Sequence, residues 1–413
     1  MSMLEEVILK KIVKFVCSLL VLLTVVSLAG CSKKSAQSSD QKQEIRMLVP
    51  GYSSGYLKPQ LKAAVKKYEK ENDNVKIKIV SVGWDELNSK IVKLYQAGQS
   101  PDILMVGSRS IRQFADDGVL QDLTPYMNKR FKATRINSVM KTAQIDGKQY
   151  GVPLALSSRA LYYRSDLIKK APTNWSELLS TAKTVSKQNK MYGFAIPTDV
   201  TSGTDELLNF FYQGGGRMVN AKGNYTINSQ ANIDTLSYLT KFKGVIPDPV
   251  STARDDQVKM FKNGDLAMFI SGGWDQAEMD KGSKKTPYKV AELPAGKTKA
   301  VTLVTDSYAV SSKSKHKKAA FKFIQFLGKT DQQRSISESN NWLPITKAEQ
   351  SDKRFKTTFM QPFVSILKDG VSEPKVPNWD TYNKSFTNAV QKALTGDATP
   401  AKALNTAQQE VKQ

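Results

Sequence analysis

Between residues 45 and 106, segments with a strand-like pattern of hydrophobic and polar residues alternate with segments that have a helix-like pattern. Strand-like segments have continuous apolar residues or a period of two, and helix-like segments have apolar residues three and four positions apart. In chain order these segments are strand 45–49, helix 57–71, strand 75–82, helix 84–97 and strand 102–106. Strands that alternate with helices predict an α/β fold in which a mostly parallel sheet is flanked by helices and joined by right-handed crossovers.

The loops after these strands indicate where a ligand would bind, because ligands of parallel sheets bind beyond the carboxyl ends of the strands. Here those ends are expected at residues 50–55, 83–85 and 107–110. Two later extended stretches, residues 154–163 and about 300–310, are long enough to leave one body of structure and enter another. A final helical stretch is expected from about residue 382 to residue 411.

A basic and then apolar segment opens the chain. Three lysines precede an apolar run at residues 15–28, which at about 14 residues is shorter than the roughly 20 that span a bilayer as a permanent helix. The segment therefore predicts a signal peptide over residues 1–30. It ends in Leu28-Ala29-Gly30-Cys31, which resembles the lipobox of bacterial lipoproteins.

The lipobox resemblance implies that the chain is cut before Cys31 and that this cysteine is acylated. Residues 32–43 are polar throughout and have no apolar face, which predicts a flexible tether and disfavours a cysteine packed in a core. Two acyl chains give durable anchoring. We therefore expect the protein at the extracellular face of the cell membrane, as in Gram-positive surface lipoproteins.

Composition narrows the classes of function. Removing residues 1–30 from the 413 leaves 383, which suits two lobes better than one core. The formal charge of +23 comes from lysines and arginines scattered along the whole chain. Together with export, this scatter argues against a nucleic-acid partner. Attraction to anionic lipid or wall polymer, or a merely solubilising surface, remain the alternatives.

Few residues are available for metal or nucleophilic chemistry. Cys17 would leave with the signal peptide and Cys31 would be lipidated, so no thiol remains for a disulfide or a metal. His316 is the single histidine and lies in a run of lysines, which excludes a Ser-His-Asp triad. We expect no metal and no cofactor. Paired carboxylates for glycoside hydrolysis stay open, because their spacing is three-dimensional.

Seven short motifs resemble the carbohydrate-binding group of extracellular solute-binding proteins, the maltose-binding-protein-like proteins of ATP-driven importers. In order they are Ser100-Pro-Asp-Ile103, Gly118-Val-Leu-Gln-Asp-Leu-Thr-Pro125, Tyr150-Gly-Val-Pro153, Leu161-Tyr-Tyr-Arg164, Pro172-Thr-Asn-Trp-Ser-Glu-Leu178, Phe261-Lys-Asn-Gly-Asp-Leu-Ala-Met268 with Gly272-Gly-Trp274, and Ala319-Ala-Phe-Lys-Phe323. Each is weak alone, but the order and spacing extend over essentially all of the mature chain.

This resemblance implies a two-lobed periplasmic-binding-protein-like fold of type II, with the ligand held in the cleft between the lobes. We expect an N-terminal lobe of residues 44–154 plus about 300–345, and a C-terminal lobe of residues 155–299 plus about 346–413. The implied partners are a carbohydrate and the permease subunits of an ABC importer with their ATPase. A monomer is expected, and no enzymatic activity.

Aromatic side chains are candidates for stacking on the apolar face of a sugar. Trp274 follows a Gly-Gly turn at a strand end, where the family places such a ring. Trp84 and Asp85 begin a helix after a strand, although Asp85 would also suit a helix N-cap. Trp379 lies in a polar loop, and its ring is equally suited to packing within that loop and holding it in place. Trp175, in the first turn of a helix, is expected to pack.

Polar residues that could bind the ligand are identified by residue-for-residue comparison with the family. They are Ser53, Ser54, Ser108, Arg109, Ser157, Arg159 and Asp306, the last predicted to begin a strand with Ser307.

Two of these positions depart from the maltose-binding pattern, because Arg109 and Ser157 stand where carboxylates bind the sugar. Arg109 could serve an acidic sugar through bidentate pairing, or it could pair with Asp116 or another nearby carboxylate. A non-sugar solute, such as a polyamine or peptide, and a glycan-active enzyme remain the alternative functions.

Overall fold

The computed structural model describes residues 42–53, 55, 57–200, 203–282 and 286–412. The chain divides into two compact units, Met1–Lys42 and Gln43–Gln413. The signal peptide, Cys31 and most of the tether, and also Ser54, lie outside the described residues.

Eleven strands are formed by the described residues. They are β1 (Gln43–Pro50), β2 (Val75–Val82), β3 (Ile103–Gly107), β4 (Gln144–Ile145), β5 (Lys148–Gln149), β6 (Val152–Ser157), β7 (Ala160–Arg164), β8 (Met268–Ser271), β9 (Tyr288–Ala291), β10 (Val301–Val310) and β11 (Gly370–Ser372).

Fifteen α-helices are formed by the same part of the chain. They are α1 (Leu57–Glu71), α2 (Leu87–Gln96), α3 (Ile111–Asp116), α4 (Lys129–Ala133), α5 (Asn137–Thr142), α6 (Trp175–Asn189), α7 (Thr204–Gln213), α8 (Gln230–Leu239), α9 (Arg254–Asn263), α10 (Gln276–Met279), α11 (Lys317–Leu327), α12 (Thr330–Glu338), α13 (Gln361–Ser365), α14 (Trp379–Thr395) and α15 (Pro400–Glu410).

The first sheet has the predicted β-α-β-α-β beginning. Its order is β11-β10-β3-β1-β2, with β6 also paired to β10. β1 is parallel to β2 and to β3, whereas β10 is antiparallel to β3 and β6. Helix α1 buries Leu57, Leu61, Ala64 and Tyr68, which recur at helical spacing and therefore lie on one face. This sheet places the carboxyl ends of three parallel strands at one edge.

The second sheet differs from the predicted parallel arrangement. Its order is β8-β7-β9, and β7 is antiparallel to both neighbours. Parallel pairing in this part of the described chain is limited to isolated bridges, Tyr192 with Leu266 and Asn174 with Ala295. The residues after α6 therefore join the sheet without forming a strand of their own.

Three chain segments connect the bodies built on the two sheets: residues 154–163, strand β10, and the segment between α12 and α14. Residues 154–163 are divided between β6 of the first sheet and β7 of the second, with Ser158 and Arg159 between them, so the predicted continuous strand is broken at the crossing. Strand β10 starts at Val301 against α7 of the second body, where the Thr302 N–H donates to Oδ1 of Asn209 at 2.8 Å, and it ends between β3 and β6 of the first sheet. Asp306 therefore lies inside a strand and does not begin one, and a register shift follows it.

Each body has its own buried apolar residues. One core collects residues from β1, β3, α1 and α11, among them Met47, Leu61 and Phe323. Another collects residues of α6, α7, α8 and α14, among them Phe211 and Tyr382. The two cores agree with two lobes, while the predicted residue boundaries of the lobes stay a prediction.

The last predicted helix is in fact two. Helix α14 begins at Trp379, where the Asn378 side chain accepts a hydrogen bond from the Thr381 N–H, and α15 follows after Gly396. Gly396 has φ 94°, a left-handed conformation that glycine adopts without strain and that ends the first helix. Within the described ranges, no helix combines the length and the apolar character needed to cross a membrane.

Candidate binding site

Charged side chains meet where the connecting segments pass between the bodies. We call this group the crossing network; its members are Arg109, Arg159, Asp205, Glu206, Asp306 and Glu373. They come from the loop after β3, the break between β6 and β7, the first turn of α7, strand β10 and the end of β11.

Arg109 bridges from the first sheet to the second body. Its Nη1 lies 2.9 Å from Oδ2 of Asp205 and 3.6 Å from Oε1 of Glu373. The neighbouring Ser108 hydroxyl donates a hydrogen bond to Oε2 of Glu373. The Glu373 side chain is fully buried. The loop after β3 thus contacts both Asp205 and Glu373, which are distant from it in sequence.

Arg159 occupies the break between β6 and β7. Its Nε donates to Oε1 of Glu206 at 2.7 Å, and its Nη2 lies 3.5 Å from Oδ2 of Asp205. Its Nη1 donates to the Ser157 hydroxyl at 3.2 Å. Asp205 and Glu206 lie in the first turn of α7, where the helix dipole favours negative charge. The arginine at the crossing is therefore fixed by the second body.

Two carboxyl groups of the network have opposite pKa shifts. Burial, and then the charge of Asp205, raise the pKa of Glu373 well above its usual range. Burial would also raise the pKa of Asp205, but Arg109, a hydrogen bond with Glu373 and Arg159 hold it below its usual range. The opposite directions are those expected when one proton is shared unequally by two neighbouring acids, with Glu373 retaining it more strongly than Asp205.

Asp306 and Glu206 are also affected by burial. Burial raises the pKa of Asp306, against the opposing charges of Arg109 and Arg159. Burial likewise raises the pKa of Glu206, although the nearby Arg159 guanidinium acts in the other direction. Burial therefore opposes the charged form of both carboxyl groups, whereas the neighbouring arginines favour it.

Trp274 stands directly above this network. It follows β8 and a Gly272-Gly273 turn, and it is half-buried. The guanidinium carbon of Arg159 lies 4.9 Å from its ring centroid, and that of Arg254 lies 5.4 Å away. A Cβ on Gly272 would lie 1.9 Å from the ring, so the indole folds back over its own turn only because glycine is there.

Arg254 is itself held by the strand end beneath Trp274. Its Nη2 donates to the Ser271 hydroxyl at 2.8 Å and to Oδ2 of Asp275. The Ser271 hydroxyl also donates to Asp275, at 2.5 Å. Because both arginines are fixed by acids, the ring position is defined before any ligand arrives.

Trp84 and Asp85 lie between β2 and α2, in a segment of the first body that comes near charged groups of the second. The Trp84 side chain is 44% exposed and lies against the loop after β1, where a Cβ on Gly51 would be 2.8 Å from its indole nitrogen. Burial, and then the charges of Asp199 and Asp255, raise the pKa of Asp85. Those two aspartates belong to the second body, so this loop of the first body faces them across the cleft.

A cavity of about 350 Å³ adjoins the crossing network on the side of Glu373. Its lining includes Tyr212, Lys141 and Arg217, from three different segments. The Tyr212 hydroxyl donates to the Ser372 carbonyl at 3.2 Å and so joins α7 to β11. Across the residues that the structure describes, no group of His, Cys, Asp and Glu side chains is arranged to hold a metal ion.

The comparison with known families decides which class of protein this is. The profile of one family, described as bacterial extracellular solute-binding protein, matches residues 54–334, more than half of the chain. The chain belongs to this family. Its place there is consistent with the cleft and with the seven motifs from which the resemblance was inferred.

Relatives and solved structures agree with the family match. The chain is 27% identical to the galactooligosaccharide-binding protein of Bacillus subtilis, over 96% of each protein. It is 25% identical to a maltooligosaccharide ABC transporter solute-binding lipoprotein of Streptococcus pneumoniae R6, over 91% of this chain and 93% of the relative.

Among solved structures, an ABC substrate-binding protein from Listeria monocytogenes in complex with cycloalternan matches with a TM-score of 0.80 and 26% identity, over 90% of this chain and 98% of that one. A maltose-bound protein of Thermotoga maritima has a TM-score of 0.79 at 24% identity, over 89% and 99% of the chains, and shares the fold. The predicted type II fold is thereby confirmed, and the matching family is one of solute-binding proteins.

The sequence prediction of the site is reproduced in part by the geometry. Ser108, Arg109, Ser157 and Asp306 come together at the crossing, and Trp274 lies over them. Whether they bind a ligand stays a prediction. Arg109 does not pair with Asp116, which instead lies 3.6 Å from Arg112.

Other candidates are placed differently from the prediction. Trp379 is 4% exposed, opens α14 and packs against Tyr382 at 5.3 Å between ring centroids, so its ring is buried in this structure, and its stacking on a ligand stays a prediction. The Ser53 hydroxyl is 2.9 Å from that of Ser81 and lies away from the network. Asp85 is not the N-cap of α2, because Glu86 occupies that position and makes no side-chain cap.

Three of the four acids in the network, Asp205, Glu206 and Glu373, were missed by sequence reasoning. Asp205 and Glu206 follow Gly203 at a helix start, and a pair of acids there is usually explained by the helix dipole alone. Glu373 lies in a short polar stretch without periodicity. The one available signal was an unusual pair of arginines, Arg109 and Arg159, at cleft positions, since buried arginines require acids nearby.

Proposed function

We propose that this solute-binding protein captures a neutral oligosaccharide in the cleft between its lobes and delivers it to the permease of an ABC importer. The observation that carries this proposal is Trp274, a half-buried indole fixed by Arg159 and Arg254 over a hydrogen-bonding floor. An aromatic face beside buried polar groups suits a pyranose, which has apolar C–H faces and a rim of hydroxyls. The names of the relatives, which bind galacto- and maltooligosaccharides, support the same substrate class.

The charges of the site favour a neutral sugar over an acidic one. Arg109, Arg159 and Arg254 are each within ion-pair distance of a carboxylate. An anionic ligand would have to displace a paired acid and leave that acid buried, which is costly. The hydroxyls of a neutral sugar can instead form hydrogen bonds with the carboxylate lone pairs and guanidinium N–H groups that the ion pairs do not use.

The location proposed for the protein is the outer face of the membrane, anchored through acylated Cys31. The Leu-Ala-Gly-Cys sequence and the polar tether support this, as does the lipoprotein named among the relatives. The ABC permease and its ATPase are the partners expected from the family. A monomer remains our expectation for the oligomeric state.

The proposal is tested by calorimetry with a panel of neutral and acidic oligosaccharides. We expect micromolar or tighter binding of at least one neutral ligand, with no product formed on incubation. Trp274→Ala should weaken that binding by tens-fold, on the order of 2 kcal/mol, because a stacking ring is lost. Trp175→Ala is the matched control, since Trp175 stacks on Tyr238 at 4.4 Å in a core and should change stability but not affinity.

Three results would contradict the proposal. If only acidic sugars bind, the argument from paired arginines is wrong. If no saccharide binds, the substrate class is wrong, and polyamines or peptides should be tested next. Retained affinity in Trp274→Ala would show that the site is misplaced.

A further inference from the structure

A second charged surface lies at the opposite end of the first sheet from the crossing network. It is a cleft of about 550 Å³ whose lining combines the start of β1, the start of β2 and the turn into α11. Four lysines line it, and no carboxylate is among its lining residues. We call these lysines the basic patch; they are Lys315, Lys317, Lys318 and Lys322.

The lysines of the basic patch have no acidic partners in the part of the chain that the structure describes. Ion pairs elsewhere in this part engage other lysines, such as Lys67 with Asp331 at 2.9 Å and Lys76 with Glu69 at 3.0 Å, but none of the four. Lys315, Lys318 and Lys322 are exposed. Their charge is therefore available to a partner outside the molecule.

More positive charge continues beside the patch. Helix α4 packs against α11 through Phe131 and Phe321, whose ring centroids are 6.1 Å apart. The exposed residues of α4 next to Phe131 are Arg130 and Lys132. The positively charged surface thus includes residues of both α4 and α11. It carries more positive charge than the end of one helix would supply.

The segment that presents the lysines is held in place. The Ser314 hydroxyl donates to Oδ1 of Asp102 at 2.5 Å and accepts from the His316 N–H at 3.0 Å. The His316 Nδ1 lies 2.5 Å from Nε2 of Gln43. Because the turn is fixed to β3 and to β1, the positive charges keep a defined position on the surface.

Chain connectivity brings this surface close to the anchor. Gln43 lines the cleft and begins β1, and twelve peptide units separate it from Cys31. Twelve peptide units span at most about 40 Å, whatever their conformation. A lipidated Cys31 would therefore hold the basic patch near the bilayer surface.

We propose that the basic patch binds the anionic headgroups of the lipid leaflet to which the chain is anchored. The proposal rests on the membrane anchoring in the proposed function, and charge complementarity supplies the attraction. The eight residues of β1 separate the patch from the ligand cleft by about 23 Å, so lipid bound at the patch fixes one end of the first sheet and leaves the cleft uncovered.

The test uses the unacylated mature chain, beginning at Ser32, with vesicles. We compare co-sedimentation with phosphatidylcholine vesicles and with vesicles that also contain phosphatidylglycerol. The test variant is Lys318→Gln with Lys322→Gln. The matched control is Lys183→Gln with Lys187→Gln, because both pairs are exposed, lie four residues apart on a helix and remove the same charge.

We expect binding to the anionic vesicles alone, weakened about thirty-fold by the patch variant and by less than threefold by the control. Added salt should weaken the binding further. Equal loss in both variants would overturn the proposal, because it would leave only a general effect of net charge. Binding to neutral vesicles, or none to anionic ones, would also overturn it.

Calorimetry with the oligosaccharide separates this proposal from the proposed function. The patch variant should bind the sugar as the parent does, since the patch is far from the cleft. Failure of the vesicle test with sugar binding intact rejects the patch alone. The effect of Cys31→Ala on membrane anchoring is measured in a separate experiment. It does not affect the vesicle result, because the chain used with the vesicles is not acylated.

Discussion

A single proton held by Glu373 should make the stability of this protein fall as the pH rises. In the folded state burial and Asp205 raise the pKa of Glu373 well above its usual range, whereas in the unfolded chain it titrates near its ordinary value. Between those two values the folded state holds a proton that the unfolded state has lost. Stability from this group is therefore fully present below the unfolded pKa and is lost as the pH rises toward the folded one.

The magnitude follows from the linkage of one proton. Each pH unit in that window costs at most about 1.4 kcal/mol, so the two units from pH 5 to pH 7 cost no more than about 3 kcal/mol. Glu373→Gln replaces a neutral acid with a neutral amide of the same shape, and the Ser108 hydroxyl keeps an acceptor. The variant should lose this component of the pH dependence and be at least as stable as the parent at pH 7.

Urea unfolding of the parent and the variant at both pH values measures the difference directly. Glu410→Gln, an exposed change at the end of α15, is the control and should leave the pH dependence unchanged. Identical slopes for the parent and Glu373→Gln would refute the shared proton. A large loss of stability at pH 7 would refute it too, since it would mean that the network requires the charge of Glu373.

Three further predictions concern the core, the lobes and the anchor. Trp175→Ala should lower the free energy of unfolding by about 3 kcal/mol, because the ring stacks on Tyr238 and its indole N–H donates to Gln213 at 2.8 Å; no change in urea unfolding would contradict this packing role. Small-angle scattering should show a smaller radius of gyration at saturating sugar, since ligand binding selects the closed form, and an unchanged radius would argue against closure. Cys31→Ala should release the protein from membranes washed without detergent, and full retention would reject lipid anchoring.

Local pattern was sufficient to predict the framework of the first sheet. Strands with continuous apolar residues and helices with a buried stripe repeat over short distances, so their order could be inferred along the chain. Trp175 was also predicted correctly as a packing residue, because the first turn of an amphipathic helix has a defined buried side. The same reasoning failed at the second sheet, where antiparallel pairing joins segments more than 100 residues apart, such as Tyr162 and Phe269.

The charged partners could not be predicted because no local rule relates them. Arg109 and Asp205 are 96 residues apart, and Ser108 and Glu373 are 265 residues apart. Each residue alone is compatible with a solvated surface. Their pairing exists only because β10 and β11 bring distant segments to the crossing, and that arrangement follows from the complete topology.

The position of the crossing has a consequence for how the two lobes sense a ligand. When rigid bodies rotate about a hinge, each group moves in proportion to its distance from the axis, so the crossing residues have the shortest lever arms. Ser157, Arg159 and Asp306 lie on the connecting segments, whereas Trp84 lies at the exposed rim. Contacts near the axis should already exist in the open form and determine how well a ligand first binds. Contacts at the rim form only on closure. Substitutions there should therefore change the rate at which the ligand dissociates and not the rate at which it associates.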